Sequence, residues 1–257
     1  TAYEIYQCDW SSDVCSSDLY RDIACSHRAR VAMMVCSKSM INVARKMEER
    51  YGIPYFEGSF YGISDMSDTL RKLCALLVER GADAELLERC ERLIAVEEQR
   101  AYAALASFRP RLEGKRVLLI TGGVKSWSVV SALMEAGMEI AGTSVKKSTK
   151  EDKERIQEIM GTDAHMIDEL PPRQMYAMLK DAKADIMLSG GRSQFVALKA
   201  RMPWMDINQE RHYAYAGYVG IVEMVREMDK AINNPMWQQV RLPAPWETAG
   251  DVACAAR

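Results

Sequence analysis

The feature that most constrains the fold is an alternation of apolar runs and glycines at residues 114–148, GKRVLLITGGVKSWSVVSALMEAGMEIAGTSVKKS. Residues 116–121 form an apolar run typical of a strand, the pair Gly122–Gly123 interrupts it, and residues 126–136 carry apolar side chains at helical spacing. A second apolar run follows at residues 138–143. This order predicts a parallel βαβ unit, in which ligands usually bind beyond the carboxyl ends of the strands. The glycine loop is therefore the first candidate for a binding site.

The same alternation continues toward the C-terminus. Further strands are expected at residues 164–167 and 185–189, and helices at 151–160, 171–182, 194–201 and 214–233. Gly190 and Gly191 form a second glycine loop at a strand end, directly before Arg192. Because the carboxyl ends of parallel strands meet at one edge, the two loops are expected to face the same crevice. We predict an α/β fold with Rossmann-like parallel sheets flanked by helices.

The region before residue 114 predicts a partial α/β unit with long helices. Residues 31–35 are consistent with a buried strand, and Cys36 lies at its carboxyl end, before a helical pattern at residues 39–50. A thiolate at a helix N-terminus has a lowered pKa and binds metals, although a single cysteine there is more often a packing residue. The expected divisions are part of a middle α/β domain at 20–113, a C-terminal Rossmann-like domain at 114–247 and a tail at 248–257.

The first 19 residues differ from the rest of the chain. They are rich in serine and aspartate and have neither helical nor strand periodicity. Residues 9–19, DWSSDVCSSDL, match residue for residue the translation of a common short-read sequencing adapter. We therefore interpret residues 1–19 as a non-native, adapter-like segment and assign no chemistry to Cys8 and Cys15.

Composition excludes several classes of function. The net charge of -2 comes without a basic face or tail, so we expect no nucleic-acid partner. No apolar run reaches the roughly 18 residues of a membrane span, and the start has no secretory pattern, so we expect no membrane association and a cytoplasmic protein. Seven cysteines without a small-domain framework favour free thiols or a metal ligand over structural disulfides.

The glycine loops lack the signatures of nucleotide binding. Neither GxGxxG nor GxxxxGK[ST] is present, and no acidic residue ends the strand after the first loop. Basic residues surround the loops instead: Lys125, Lys146, Lys147 and Arg192. A large anionic ligand suits such a crevice, and an iron–sulfur cluster is one, since thiolates bind its iron and backbone N–H groups approach its sulfides where glycine permits. The alternative is that these basic side chains are simply solvated.

Several segments together resemble the nitrogenase α-subunit family, and within it the branch that serves as a scaffold for assembly of the iron–molybdenum cofactor. They are VCSKSMINVARKMEERYGIPYFEGSFYGISD, the 114–148 stretch, SGGRSQF, DINQERHYAYAGYVGIVE, NNPMWQQV and APWE. The resemblance implies that Cys36 binds a cluster iron with Ser39 supporting its sulfur, and that Gly122, Gly123 and Lys125 line an iron–sulfur precursor of the cofactor. Arg192 would meet the carboxylate-bearing end of that precursor.

Two departures from the catalytic members of the family indicate a scaffold that releases its product. Asn208 stands where those members have a histidine that binds molybdenum, although a shifted alignment would bring His212 to that place. Lys125 replaces an arginine and so exchanges a planar fork for a compact charge. A catalytic molybdenum–iron protein α-subunit is the alternative, and a small-molecule Rossmann-like binding domain is a second one.

The resemblance also implies partners and a missing region. The full protein would pair with a homologous subunit as an α2β2 heterotetramer and work with the nitrogenase iron protein, a cluster donor and a catalytic acceptor protein. The family's N-terminal domain carries cysteines for a second iron–sulfur cluster shared between subunits. That region has no counterpart in this sequence, so the shared cluster is not expected here.

Overall fold

The computed structural model describes residues 16–36, 38, 40–121, 124–146, 148–161, 165–168, 171–181, 183–208, 210 and 213–243. The described strands form one parallel sheet of two strands and one parallel sheet of five. The smaller sheet contains β1 (Ala32–Met34) and β2 (Tyr55–Glu57). The larger contains β3 (Arg116–Ile120), β4 (Glu139–Ser144), β5 (Met166–Ile167), β6 (Ile186–Ser189) and β7 (Trp204–Asp206).

Helices fill most of the intervals between the strands. Those before the larger sheet are α1 (Ser16–Ala24), α2 (Ile41–Tyr51), α3 (Ile63–Glu79), α4 (Glu85–Ala106) and α5 (Arg109–Leu112). Those that follow β3 are α6 (Val124–Glu135), α7 (Lys150–Met160), α8 (Pro172–Asp181), α9 (Gln194–Lys199), α10 (Tyr218–Ile232) and α11 (Met236–Val240). Parallel strands require such crossover connections, so this alternation confirms the predicted α/β class.

The order of strands in the larger sheet is β5-β4-β3-β6-β7, with β3 at the centre. The chain moves outward from β3 to β4 and β5 on one side, then crosses to β6 and β7 on the other. The reversal makes the gap between β3 and β6 a topological switch point, where loops leave in opposite directions and open a crevice.

The central strands are apolar on both faces because helices cover both faces. In β3, Val117, Leu118 and Leu119 are almost fully buried, and every residue of β6 is buried. Continuous apolar runs of this kind are typical of buried parallel strands. They explain why β3 and β6 were recognisable in the sequence.

The main hydrophobic core joins the two halves of the chain. It includes Ile63 of α3 and Leu105 of α4 together with Val117 of β3, Leu133 of α6 and Met224 of α10. The two long helices therefore pack on the same core as the larger sheet. The boundary predicted between residues 113 and 114 directly follows α5, whose Leu112 is buried in this core.

Several local expectations differ from the structure. The strand expected at residues 31–35 is shorter, and Val35 is exposed, so only the end of β1 is buried. The helix expected from residue 39 begins at Ile41, after Met40 in a left-handed conformation. Strand β7 was not expected, and α1 spans the boundary drawn at residue 19. Residues 1–15 and 244–257 lie outside the described residues, so the adapter and tail assignments stay predictions.

None of the described helices is long and apolar enough to cross a membrane.

Candidate functional site

The candidate site lies at the carboxyl edge of the larger sheet, over the switch point. Thr121 follows β3, Gly190 follows β6 and Asn208 lies two residues beyond β7. The hydroxyl of Thr121 donates a hydrogen bond to Oδ1 of Asn208 at 2.9 Å. A Cβ atom added to Gly190 would lie 2.7 Å from Nδ2 of Asn208. Gly190, in the second glycine loop, must therefore lack a Cβ atom for the Asn208 side chain to approach the loop after β6 this closely.

The turn after β7 is held by Asp206. Its Oδ1 accepts a hydrogen bond from the backbone N–H of Asn208 at 2.8 Å, the pattern of an Asx turn. Because the Ile207 N–H donates to the Ser189 carbonyl at 3.1 Å, the β6–β7 pairing continues up to this turn. Asn208 is thus fixed at the edge, with an exposed side chain.

Lys125 lies in the first turn of α6, and its ammonium is bound by three groups. Nζ donates to the Ile207 carbonyl at 2.9 Å, pairs with Oε1 of Glu210, and lies 4.6 Å from the centre of the Tyr61 ring. The Tyr61 hydroxyl donates to the same Oε1 of Glu210. These contacts join three loops that are far apart in the sequence.

Glu210 is ionised in this environment. Burial would raise the pKa of its carboxyl, but hydrogen bonds from Lys125, Tyr61 and the Tyr215 N–H outweigh it and hold the pKa below its usual range. The predicted basic character of the crevice is therefore offset at Lys125, because a carboxylate neutralises that ammonium.

Tyr61 connects the two sheets on their carboxyl sides. It belongs to the loop that follows β2, and the Gly58 N–H at the start of that loop donates to the Met34 carbonyl at 3.0 Å. Cys36 lies two residues beyond the same Met34, half-buried and with a free thiol. The expectation that Cys36 lies at the carboxyl end of a strand is confirmed. The strand belongs to the smaller sheet, not to the sheet that carries Lys125.

The structure describes only some of the remaining predicted site residues. Arg192 lies in a short 3-10 helix after β6 and is exposed at the same edge. Gly122, Gly123, Ser39, Lys147 and His212 lie outside the described residues, so their assignments stay predictions. Within the described part of the chain, no group of three or more histidine, cysteine, aspartate or glutamate residues could hold a metal ion. An iron–sulfur cargo bound through Cys36 would therefore depend on one described thiolate and on non-covalent contacts.

Sequence analysis missed three residues that organise this edge: Tyr61, Thr121 and Glu210. Tyr61 and Glu210 are 149 residues apart, so no local spacing could pair them. The one signal for Glu210 in the sequence is its place as an acid four residues after Asp206, the residue that ends β7.

A separate cavity of about 300 Å³ lies between the two halves of the chain, lined by Glu57, Gly58, Asp65, Asp68, Thr69, Lys72, Trp127 and Arg155. Burial raises the pKa of Asp65 to about 6 and also raises the pKa of Glu57. The guanidinium of Arg155 stacks 3.9 Å from the centre of the buried Trp127 ring. Oδ2 of Asp65 and Nε1 of Trp127 are buried and have no hydrogen-bond partner among the residues that the structure describes.

The α/β fold and the polar residues at the carboxyl edge of the larger sheet together define a class of protein. The family model of nitrogenase component 1 type oxidoreductases matches residues 15–233, and the chain belongs to that family.

Similar relatives place the chain within one branch of the family. Over 228 residues it is 71% identical to the nitrogenase iron-molybdenum cofactor biosynthesis protein NifE of Bradyrhizobium diazoefficiens, covering 89% of this chain and 42% of that protein. The NifE protein of Rhodobacter capsulatus is 60% identical over 230 residues, with 90% and 48% covered. The chain spans under half the length of these relatives. The resemblance to the cofactor-assembly branch is thus confirmed.

A solved structure confirms the fold. The structure titled "Nitrogenase Cp1 at pH 5" superposes with a TM-score of 0.71 at 23% identity, covering 86% of this chain and 50% of that one. The expected nitrogenase component 1 architecture is therefore confirmed.

Proposed function

We propose that the chain is part of a scaffold subunit on which the iron–molybdenum cofactor of nitrogenase is assembled. The observation that carries this proposal is its 71% identity to a protein named for that biosynthesis. The scaffold would hold an iron–sulfur precursor during its maturation and pass it to the catalytic protein. The alternative of a catalytic α-subunit receives less support, because Asn208 at the crevice edge is a poor metal ligand compared with histidine.

Cys36 is the proposed iron ligand. Its thiol is free and half-buried, and it lies two residues beyond Met34, whose carbonyl accepts from the Gly58 N–H of the loop that Tyr61 occupies. A thiolate binds iron directly, and Ser39 would support its sulfur. Gly122 and Gly123 would allow backbone N–H groups to approach the cargo, with Lys125 as the nearby cation.

Arg192 and Asn208 would complete the far side of the cargo. Arg192 is exposed at the end of β6, so its guanidinium is available to a carboxylate-bearing end of the precursor. Asn208 would contact the cargo through hydrogen bonds rather than a metal bond. A cargo held by one thiolate and several polar contacts can be released, as a scaffold requires.

The proposed partner proteins are inferred from the same cofactor-assembly branch of the family. We infer a homologous subunit of the NifN type in an α2β2 heterotetramer, together with the nitrogenase iron protein, a cluster donor and the catalytic acceptor. The near-neutral charge of -2 agrees with a protein that binds neither nucleic acid nor an anionic membrane surface, and we infer a cytoplasmic location.

Reconstitution tests the proposal. The full-length protein is prepared anaerobically with its partner subunit, loaded with the iron–sulfur precursor, and assayed for bound iron and for cluster absorption. We expect Cys36→Ala to lose most of the iron that depends on the precursor, because the replacement removes the thiolate.

The matched control is Cys25→Ala, since Cys25 is also a half-buried free cysteine but follows α1. It should load normally. Retention of iron and an unchanged spectrum in Cys36→Ala would refute the assignment of the ligand.

A further inference from the structure

Glu210 is an acid at the crevice edge to which the resemblance assigns no role. Its side chain is 12% exposed, and its backbone has a φ of 46°, which is unusual for a residue other than glycine. Such a conformation costs of order 1 kcal/mol and persists only where surrounding contacts hold it. Those contacts are the hydrogen bonds that its carboxylate accepts from Tyr215, Tyr61 and Lys125.

Two of the three donors of the Lys125 ammonium have described acceptors. A lysine ammonium has three N–H donors. One donates to the Ile207 carbonyl, one to Glu210, and the cation also lies over the face of the Tyr61 ring. An anion that approaches Lys125 therefore meets an ammonium whose charge Glu210 already neutralises.

Of the three contacts of the Lys125 ammonium, the ion pair with Glu210 is the one with which a bound anion competes most directly. The Ile207 carbonyl and the Tyr61 ring carry no net charge, whereas Glu210 and an iron–sulfur cargo are both negative. Lys125 is 23% exposed and Glu210 is 12% exposed, so the surrounding solvent screens their charges incompletely. The carboxylate then both occupies the ammonium and repels the cargo.

We propose that Glu210 is an internal competitor for Lys125 and so promotes release of the anionic cargo. The inference rests on the proposed function and concerns the regulation of the same site. In the empty subunit Glu210 holds Lys125. In the loaded subunit the cargo takes the ammonium, and the return of Lys125 to Glu210 accompanies the handover.

The test is Glu210→Gln in the full-length protein with its partner, loaded with the iron–sulfur precursor. Glutamine keeps the shape and an acceptor oxygen but removes the charge. Handover to the acceptor protein should slow by about five- to tenfold, the range expected for a partly buried charge pair worth about 1–1.4 kcal/mol. A role in structural support alone predicts the opposite sign, with weaker loading and faster loss.

Two controls separate competition from structural damage. Glu223→Gln makes the same chemical change in α10, where Glu223 pairs with Arg226, and should leave handover unchanged. In a Lys125→Met background, Glu210→Gln should slow handover far less, because the contested ammonium is gone. Should Glu210→Gln fold poorly, Lys125→Arg provides a second test. Arginine has five donors, enough for Glu210 and the cargo together, so handover should again slow.

The outcomes distinguish the two proposals. If the wild-type protein takes up no precursor, the proposed function is wrong and the competition falls with it. If the wild type loads and hands over normally but Glu210→Gln transfers its cluster at the wild-type rate or faster, only the competition is refuted.

Discussion

Asp65 should make the stability of the chain depend on pH between about pH 3.8 and 6. It lies in the first turn of α3 beside the cavity between the two halves, and its buried Oδ2 has no hydrogen-bond partner in the described part of the chain. Burial is the main cause that raises the pKa of this carboxyl from its ordinary 3.8 to about 6, and the nearby Glu135 and Asp68 add to the rise. A hydrogen bond from Ser131 and the charge of Arg155 oppose it.

The direction of the pH dependence follows from the thermodynamic linkage between protonation and folding. Because the folded pKa lies above the unfolded value, the stabilising contribution is complete below about pH 3.8 and is lost as the pH rises through about 6. The full difference corresponds to about 3 kcal/mol at roughly 1.36 kcal/mol per pH unit. The side chain is only partly buried, so solvent screening reduces the expected loss to about 1–2 kcal/mol.

The assay is urea unfolding of the wild type and Asp65→Asn between pH 4.5 and 8, followed by circular dichroism. Asp65→Asn should be more stable than the wild type by about 1–2 kcal/mol at pH 7.5, and the difference should shrink as the pH falls toward 4.5, reaching zero only below the unfolded value of about 3.8. Glu88→Gln is the control, because Glu88 is exposed on α4 and pairs with Arg92, and it should change stability by less than about 0.5 kcal/mol. A gain in Asp65→Asn that is the same at every pH would refute the linkage.

Two further variants test the fold around the site. Gly220→Ala should destabilise the chain by about 2–3 kcal/mol or more in urea unfolding, because its Cβ would lie 2.5 Å from the Tyr215 carbonyl carbon, while Val219→Ala at an exposed position should be nearly neutral. Equal stabilities for these two variants would contradict this packing of α10. Thr149→Ala should cost about 1 kcal/mol and lower the melting temperature by about 2–4 °C, since it removes the capping box in which Thr149 accepts from the Asp152 N–H at 3.2 Å. An unchanged melting temperature would show that this cap contributes nothing.

The sequence predicts the parts of the fold that depend on local residue patterns. Strands β3 and β6 were recognisable because they are continuous apolar runs, and the glycines after them marked the strand ends where the site lies. Strand β7 was missed because three residues are too few to establish a period, and its pairing with Met187 and Leu188 of β6 is what makes it a strand.

Individual residues of the candidate site could be predicted from the sequence, but the contacts between them could not. Lys125 was expected as a free cation from its place in the loop, whereas its pairing with Glu210 and Tyr61 arises from tertiary structure. The N-terminus of α3 shows the same limit, because the Glu135 carboxylate of α6 accepts from the Ile63 and Ser64 N–H groups across 72 and 71 residues. Local spacing carries no information about such partners.

The central position of β3 has a consequence for synthesis of the protein. Ribosomes deliver β3 first among the five strands, yet its β6 neighbour emerges only some 70 residues later, as the Val117 to Ile186 pairing shows. Asn208 and Glu210 follow the last strand, so both sides of the sheet must assemble before either residue reaches the crevice. A nascent chain therefore completes the contacts among Thr121, Lys125, Asn208 and Glu210 only after the last strand has been synthesised.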